Sequence, residues 1–386
     1  MTAIAGSLEM RPGVAAPHNV RSTRRNWVSP LVQGRPIDQV PGLVATVLSL
    51  CGAAHRCAST LAIEAAAAMP GSAKGTIDTM LHRETVREHL YRIALDWPRL
   101  LAGGDGGALA TAALASMQRC PLAGARASPA QLWPALSHWL RDEWLHTDPA
   151  RWLQAWLAEG IDWFHAWSRR HTGWLGALLR TARQADVAWP RGVVLRPLFA
   201  HGSEVELRRL AADIASRPGF DRLPQWRDAP ASTGSWARLR QPAEPVPRSV
   251  GELLGYRLAE LVRLCLPDAG GESGAQWLGW GVVAVGERQC LAWVEMARGL
   301  LIHLVRLGQP QSGAVATVLD YHVVAPTEWN FHPAGLAAQV LATLSIDDPE
   351  VRARVNLLTA ALDPCVPVEI CAPNEDTAGY QESSHA

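Results

Sequence analysis

Apolar positions along the chain change period several times. Residues 1–26 are mostly polar, with Pro12-Gly13 as a turn and Val20-Arg-Ser-Thr23 as an extended piece, which predicts an edge strand or hairpin. Leu31 to Asp38 reads as a loop leading into an apolar run, Val44 to Leu50. From Cys51 to Met69 the chain is Ala-rich and helical in pattern, closed by Pro70-Gly71. Thr76 to Leu101 predicts a second helix, with Leu81, Val86, Leu90 and Ile93-Ala94 on one stripe and Gly103-Gly104 at its end. From Ser128 to Trp189 the pattern stays helical, and Trp recurs from Trp133 to Trp174 as if one apolar stripe ran across several helices. Pro134, Pro149 and Gly160 are the candidate breaks.

Periodicity fades over 217–248, which is rich in Pro, Gly, Ser and Arg and reads as a long ordered loop or a linker. Ser249 to Leu266 is helical, with Ser249 as the N-cap and Glu252 in the capping-box position. After Gly270-Gly271 the texture turns to strands at Gly281–Val285, Leu300–Val305 and Val315–Val324. Ala334 to Ser345 and Pro349 to Leu362 return to helix. The fold class predicted is α+β, a helical-bundle body with small antiparallel sheets. One domain over 1–386 would hold a strand-rich piece (1–50), a helical body (51–215), a loop or linker (216–248), an α+β part (249–371) and a tail (372–386).

Composition narrows the function classes. The 36 cationic and 36 acidic residues balance, and no basic block stands out, which argues against nucleic acid and anionic membrane as partners. No signal peptide and no long uninterrupted apolar segment is evident, so the expected location is cytoplasmic, with no membrane partner. Seven cysteines at irregular spacing do not suggest a disulfide framework. The 17 Trp against 4 Phe and 4 Tyr are expected to fill the large core positions. No phosphate-binding loop and no nucleophile–base–orienter set is present.

A lone cysteine is ordinarily a small buried hydrophobe. Cys51-Gly-Ala-Ala-His55 and Asp363-Pro-Cys365 gain meaning together with Glu295-Met-Ala-Arg298-Gly299 and Ala325-Pro326-Thr327-Glu328-Trp329-Asn330. The set offers two thiolates and two hydrogen-bond donors. Cys57, Cys120, Cys265 and Cys290 read as buried or incidental, His89, His303 and His322 as structural, and Glu295 and Glu328 as caps or partners of arginines.

Gly34-Arg35 followed, without a gap, by an apolar helix and Cys51-x-x-x-His55-x-x-Ala58-Ser59, then Glu295 to His303, then Val324 to Asn330, then Asp363-Pro-Cys365 resemble, in order, four segments of the nickel–iron hydrogenase large subunit. Ala297 stands in the place of a proline. Of the four cysteines that the resemblance implies, Leu48 and Val368 occupy two positions, and Cys371 stands where the terminal histidine belongs. Nickel in that family needs four thiolates, and Leu and Val cannot replace them. The pattern resembles the large-subunit-like hydrogenase accessory proteins of the HupK/HoxV type.

This resemblance implies iron without nickel. An iron carrying two cyanides and carbon monoxide, Fe(CN)2(CO), would be held transiently by Cys51 and Cys365, with no hydrogen turnover. Arg298 and Thr327 would donate to the cyanide nitrogens, Pro326 would line the site, and Arg298 would favour the thiolate forms. His55 would orient the cysteine or the cofactor; alternatively it bonds a backbone carbonyl. Cys371 would be a third sulfur or would simply close the C-terminal turn. The implied partners are a nickel–iron hydrogenase large-subunit precursor and HypC/HypD-type maturation proteins. A metal-free chaperone that mimics the large subunit, and an enzyme using bound iron or a reactive thiol, are the alternatives.

Overall fold

The computed structural model describes residues 6–103, 106–124, 128–193, 195–239, 247–267, 277–310 and 315–371. The Gly270-Gly271 boundary and the 372–386 tail lie outside the described residues. The chain opens with the expected hairpin: β1 (Leu8–Met10) pairs antiparallel with β2 (Val20–Ser22), Met10 opposite Val20. The third strand of this sheet arrives from the far end of the sequence, because β7 (Val368–Ile370) runs parallel to β1 with Leu8 opposite Val368. The sequence predicts antiparallel sheets only; a parallel pair forms because the last helix returns the chain alongside its first strand.

Residues 28–50 are helical rather than strand-rich. α1 (Val28–Val32) and α2 (Val40–Val47) precede α3 (Gly52–Ala66), and α4 (Lys74–Tyr91) follows. The second predicted helix continues through a π-turn at Arg92–Asp96 into α5 (Trp97–Leu101). α6 (Gly106–Gln118) and α7 (Pro129–Leu140) come next, then a π-turn at Arg141–Leu145, α8 (Pro149–Arg170) and α9 (Trp174–Gln184). Pro149 starts α8, and Gly160 kinks it at φ 62°, ψ −142°. Pro134, expected as a break, sits within α7 instead.

Along this region the Trp side chains pack into the core. Trp144, Trp152 and Trp156 are fully buried, and Trp152 meets Trp163 and Trp167 edge-on at 5.0 and 5.4 Å between centroids.

α10 (Glu204–Ser216) and the short α11 (Ser235–Leu239) precede α12 (Glu252–Leu264). Of the stretch expected as a long ordered loop or a linker, residues 231–239 are almost entirely buried, which favours the ordered loop. Gly251, not Ser249, takes the N-cap position of α12, because the Ser249 hydroxyl donates to Asp186 and Glu252 accepts from the Arg248 N–H.

The larger sheet is antiparallel in the order β3 (Trp280–Gly286), β4 (Gln289–Met296), β5 (Gly299–Leu307), β6 (Val318–Val324). α3 lies across one face of β4 and β5. The other face carries Leu291, Leu300, Ile302 and Leu304 against Leu207, Leu210 and Ile214 of α10. Burial on both faces erases the alternation that marks a strand, so β4 is invisible to periodicity. α13 (Pro326–Asn330), α14 (Leu336–Leu341) and α15 (Val351–Leu362) complete the chain before β7. Among the described residues, no single helix is long and apolar enough to cross a membrane.

Candidate functional site

Cys51 owes its position to a sharp bend. α2 ends at Val47, Leu48 leaves helical geometry, one 3-10 turn (Ser49–Cys51) follows, and α3 departs at 107° to α2. The two helices nearly touch at Gly52, where an added Cβ would lie 2.8 Å from the Ala45 carbonyl oxygen. Cys51 holds the N-cap position of α3 without capping it. Glu84 of α4 does so instead, its carboxylate accepting from the N–H groups of Ala53 (2.7 Å) and Ala54 (2.8 Å). The Cys51 sulfur is thereby released from any local bonding role.

Cys365 is delivered by the end of α15. Asp363 adopts the left-handed conformation (φ 49°), and Pro364 forbids the helix from continuing. The Asp363 carboxylate is buried among three guanidiniums: Arg257 at 2.9 Å, Arg92 at 3.1 Å and Arg298 at 3.5 Å. Burial alone would raise its pKa, but these cations outweigh it and hold the acid at about 2. Thr327 of α13 clasps the cysteine itself. Its hydroxyl accepts from the Cys365 N–H and donates to the Cys365 sulfur, each at 3.2 Å.

Arg298 lies in the two-residue turn between β4 and β5, closed by the Met296–Gly299 pair. Gly299 stands at φ 131°, and a Cβ there would meet the Thr233 side chain at 2.4 Å. Thr233 accepts from the Leu300 N–H at 2.9 Å, and its own backbone exchanges two bonds with the Asn330 amide. The 232–234 stretch thus ties the arginine turn to the Pro-Thr-Glu-Trp-Asn helix. Arg298 is 2 % exposed; its Nη2 donates to Glu88 at 3.2 Å, and its Nη1 is buried with no partner. Burial opposes its charge, but Asp363 and Glu88 raise its pKa and keep it cationic.

All six predicted residues, Cys51, His55, Arg298, Pro326, Thr327 and Cys365, line one cavity of about 460 Å³. Both cysteines are free thiols. The Cys51 thiol is pushed up to about 12, because burial outweighs the pull of Arg298, and Cys365, Glu84 and Glu88 add to the rise. Arg298 favours the thiolate as expected, but burial outweighs it and Cys51 keeps its proton. Thr327 differs, since its single proton is directed at the Cys365 sulfur and not into open space. His55 bonds a side chain and not a backbone carbonyl, its Nδ1 lying 3.0 Å from His303 Nε2.

The wall holds Leu48, one of the two residues in a cysteine's place. Val368, the other, is paired with Leu8 in β7, and the Cys371 N–H bonds the Met10 carbonyl, which closes the terminal strand. Cys57, Cys120, Cys265 and Cys290 are buried. Glu295 pairs with Arg238, and Glu328 with Arg24. His89 is buried and bonds Glu260 at 2.9 Å.

The sequence reading missed the roles of Arg24, Glu84, Glu88 and Asp363. Arg24 lines the cavity, and both Cys365 and Cys51 help to raise its pKa against burial. The Asp-Pro-Cys motif was the available signal for Asp363, and the Arg87-Glu-His-Leu-Tyr91 segment for Glu88; nothing in the local sequence marked Glu84.

No family model matches the chain. It is 35 % identical over 375 residues to the hydrogenase expression/formation protein HoxV of Cupriavidus necator, covering 95 % of this chain and 96 % of that one. It is 29 % identical over 376 residues to the hydrogenase expression/formation protein HupK of Rhizobium leguminosarum bv. viciae, covering 91 % of each. Among solved structures, an NAD+-reducing [NiFe]-hydrogenase in the H2-reduced state aligns over 90 % of this chain and 92 % of that chain, with 15 % identity and a TM-score of 0.49. With that identity to HoxV over nearly the whole of both chains, this chain belongs to the HoxV/HupK family of hydrogenase expression/formation proteins.

Proposed function

We propose that the protein carries an iron fragment bearing cyanide and carbon monoxide ligands, held by Cys51 and Cys365, on its way to a nickel–iron hydrogenase large-subunit precursor. The observation that carries this reading is that Arg298, whose Nη1 is buried without a partner, lines a cavity that both cysteines also line. A buried guanidinium N–H without an acceptor is costly, and a cyanide nitrogen supplies the missing acceptor. Among the described residues no group of three or more His, Cys, Asp and Glu side chains is placed to hold a bare metal ion. Two thiols suit a metal that brings most of its own ligands. Loading exchanges the Cys51 S–H bond for a sulfur–iron bond and releases the proton to solvent. The cargo is a substrate of assembly, and HypC/HypD-type proteins are the proposed delivery partners.

The test is infrared spectroscopy with an iron assay on protein purified without oxygen from cells making hydrogenase. Cyanide and carbonyl stretching bands are expected, and they vanish with the iron in Cys51→Ala and in Cys365→Ala while the far-ultraviolet dichroism stays unchanged. A full iron complement in either variant refutes the two-cysteine site. Absence of bands from protein that supports hydrogenase formation, together with activity of the double variant, would favour a metal-free chaperone.

A further inference from the structure

Helix α4 touches two arms of the cavity directly. Glu84 holds the Cys51 bend through the Ala53 and Ala54 N–H groups, and Glu88 accepts from Arg298. His89, the next residue on this helix, is fully buried and has no task in the carrier reading. Its ring stands between two residues of α12. Nε2 lies 2.9 Å from the Glu260 carboxylate, and Nδ1 lies 3.4 Å from Arg257 Nη1. That same Arg257 nitrogen donates at 2.9 Å to Asp363, two residues before Cys365. Arg257 Nε is buried without a partner, so the two acceptors at Nη1, Asp363 and His89, bear on where the guanidinium points.

Both neighbours of the ring have fixed hydrogen-bonding roles. Glu260 accepts twice from Arg238, at 2.6 and 2.7 Å, and also from the Ser235 hydroxyl at 2.6 Å and the Trp277 indole N–H at 3.1 Å. Burial works against its charge, but Arg238 and His89 hold its pKa well below the usual carboxylate range. It is therefore a carboxylate that can only accept, and the Arg257 guanidinium can only donate. Nε2 must then carry the proton given to Glu260, and Nδ1 must be bare to accept from Arg257. The opposite tautomer would set a lone pair against the carboxylate and an N–H against the guanidinium. A doubly protonated ring would keep the second clash. Burial lowers the His89 pKa, and Arg257 and Arg238 prevail with it over the pull of Glu260, in keeping with a neutral ring.

We infer that His89 is a positioning residue for Cys365: locked by Glu260 in its Nε2–H tautomer, it aims Arg257 at Asp363 and so sets where the Cys365 sulfur stands in the cavity. The relay runs from Glu260 through His89, Arg257 and Asp363 to the cysteine arm. With Glu84 and Glu88, it brings the Cys51 bend, the arginine turn and the Cys365 arm under the control of one helix. The relay stands on geometry alone; only its effect on cargo rests on the carrier reading.

Long-range proton–nitrogen NMR on iron-free, 15N-histidine-labelled protein reads the tautomer, with the His89 signals assigned by their loss in His89→Gln. A protonated Nε2 and a bare Nδ1 are expected; a proton on Nδ1 overturns the relay. Alkylation of the two cavity thiols in iron-free protein, followed by mass spectrometry, reads the positioning. His89→Leu loses both bonds and should speed alkylation of Cys365 about tenfold, the factor for one lost bond to a charged group. Cys51, held through Glu84, should keep its rate. His89→Gln, whose amide can donate to Glu260 and accept from Arg257, should restore most of the protection. Leu90→Ala loosens the packing of the same helix without touching the relay and should not favour either thiol; a preference for Cys365 there would reduce His89 to packing. Equal acceleration of both thiols in His89→Leu, no acceleration, or a Gln variant as fast as the Leu variant each overturns the assignment. If His89→Leu does not fold, Arg257→Lys, which keeps the charge and loses the fork, carries the same expectation and the same refutation. In iron-loaded protein His89→Leu should also speed the loss of iron and of the cyanide bands. Bands lost at the parent's rate would remove the effect on cargo. If the unaltered protein shows no bands, the carrier reading fails and the thiol result stands on its own.

Discussion

Replacing Asp363 with Asn keeps the size of the side chain and its tolerance of left-handed backbone, but removes the charge on which Arg257, Arg92 and Arg298 converge. The carboxylate is buried, and its pKa falls from 3.8 to about 2. At about 1.4 kcal/mol per pH unit that difference stabilises the fold by roughly 2–3 kcal/mol at neutral pH. Leaving buried guanidiniums with one anion fewer adds to the loss, toward the ~3–5 kcal/mol seen when buried pairs are broken. The sign follows from a depressed acid. Its contribution is complete above about pH 4 and fades as pH falls toward about 2. Urea unfolding followed by Trp fluorescence, for both proteins at pH values from 7 down to 3, measures the gap. It should be about 2–3 kcal/mol or more at pH 7 and visibly narrower at pH 3. A gap below about 0.5 kcal/mol, or one that does not change with pH, would refute the view that this charge anchors the Cys365 arm.

Three further perturbations probe the same site. Thr327→Val removes both bonds to Cys365 and should cost about 1–2 kcal/mol. It should also speed alkylation of Cys365, followed by mass spectrometry, whereas Thr327→Ser should behave as the parent. Cys51 alkylation should rise about tenfold per pH unit to beyond pH 9 without levelling, because burial pushes the thiol up to about 12. A plateau near pH 8.5 to 9 would mean an ordinary thiol. Gly299→Ala places a Cβ against Thr233 at 2.4 Å in a left-handed turn and should cost about 2–4 kcal/mol in thermal or chemical unfolding. The iron content of any folded fraction should fall as Arg298 shifts; a fully stable, iron-replete variant would contradict the role assigned to that turn.

Much of the helical skeleton was legible because α3, α4 and α15 each keep an apolar stripe at helical spacing. The six cavity residues were legible only through the order of four short motifs, since no single motif specifies a site. What holds them in place was not. Glu84 and Glu88 on α4 and Asp363 just past α15 are acids whose partners lie far away in sequence, and the pairing of a buried charge leaves no local periodic signal. His303 looked structural because its neighbours Leu300 to Val305 form a doubly buried strand, and its link to His55 exists only after α3 crosses β5. The bond from the Thr327 hydroxyl to the Cys365 sulfur was not legible, because the sequence shows a hydroxyl and a cysteine 38 residues apart and not the fold that joins them. β4 was hidden by burial on both faces, and the Ser249 cap failed because Asp186 competes for the hydroxyl.

The parallel pairing of β7 with β1 has a consequence for the timing of assembly in the cell. The chain grows from its amino end, and the first strand, the Cys51 bend and the arginine turn all emerge while the Cys365 arm is unmade. That arm is completed when residues 368–370 dock beside residues 8–10, a contact of very high sequence separation that forms late. A nascent chain therefore exposes Cys51 without its partner cysteine. Under the proposed carrier function, cargo delivered during translation would meet half a site, so a ribosome-bound chain should be blind to the fragment and a released one receptive.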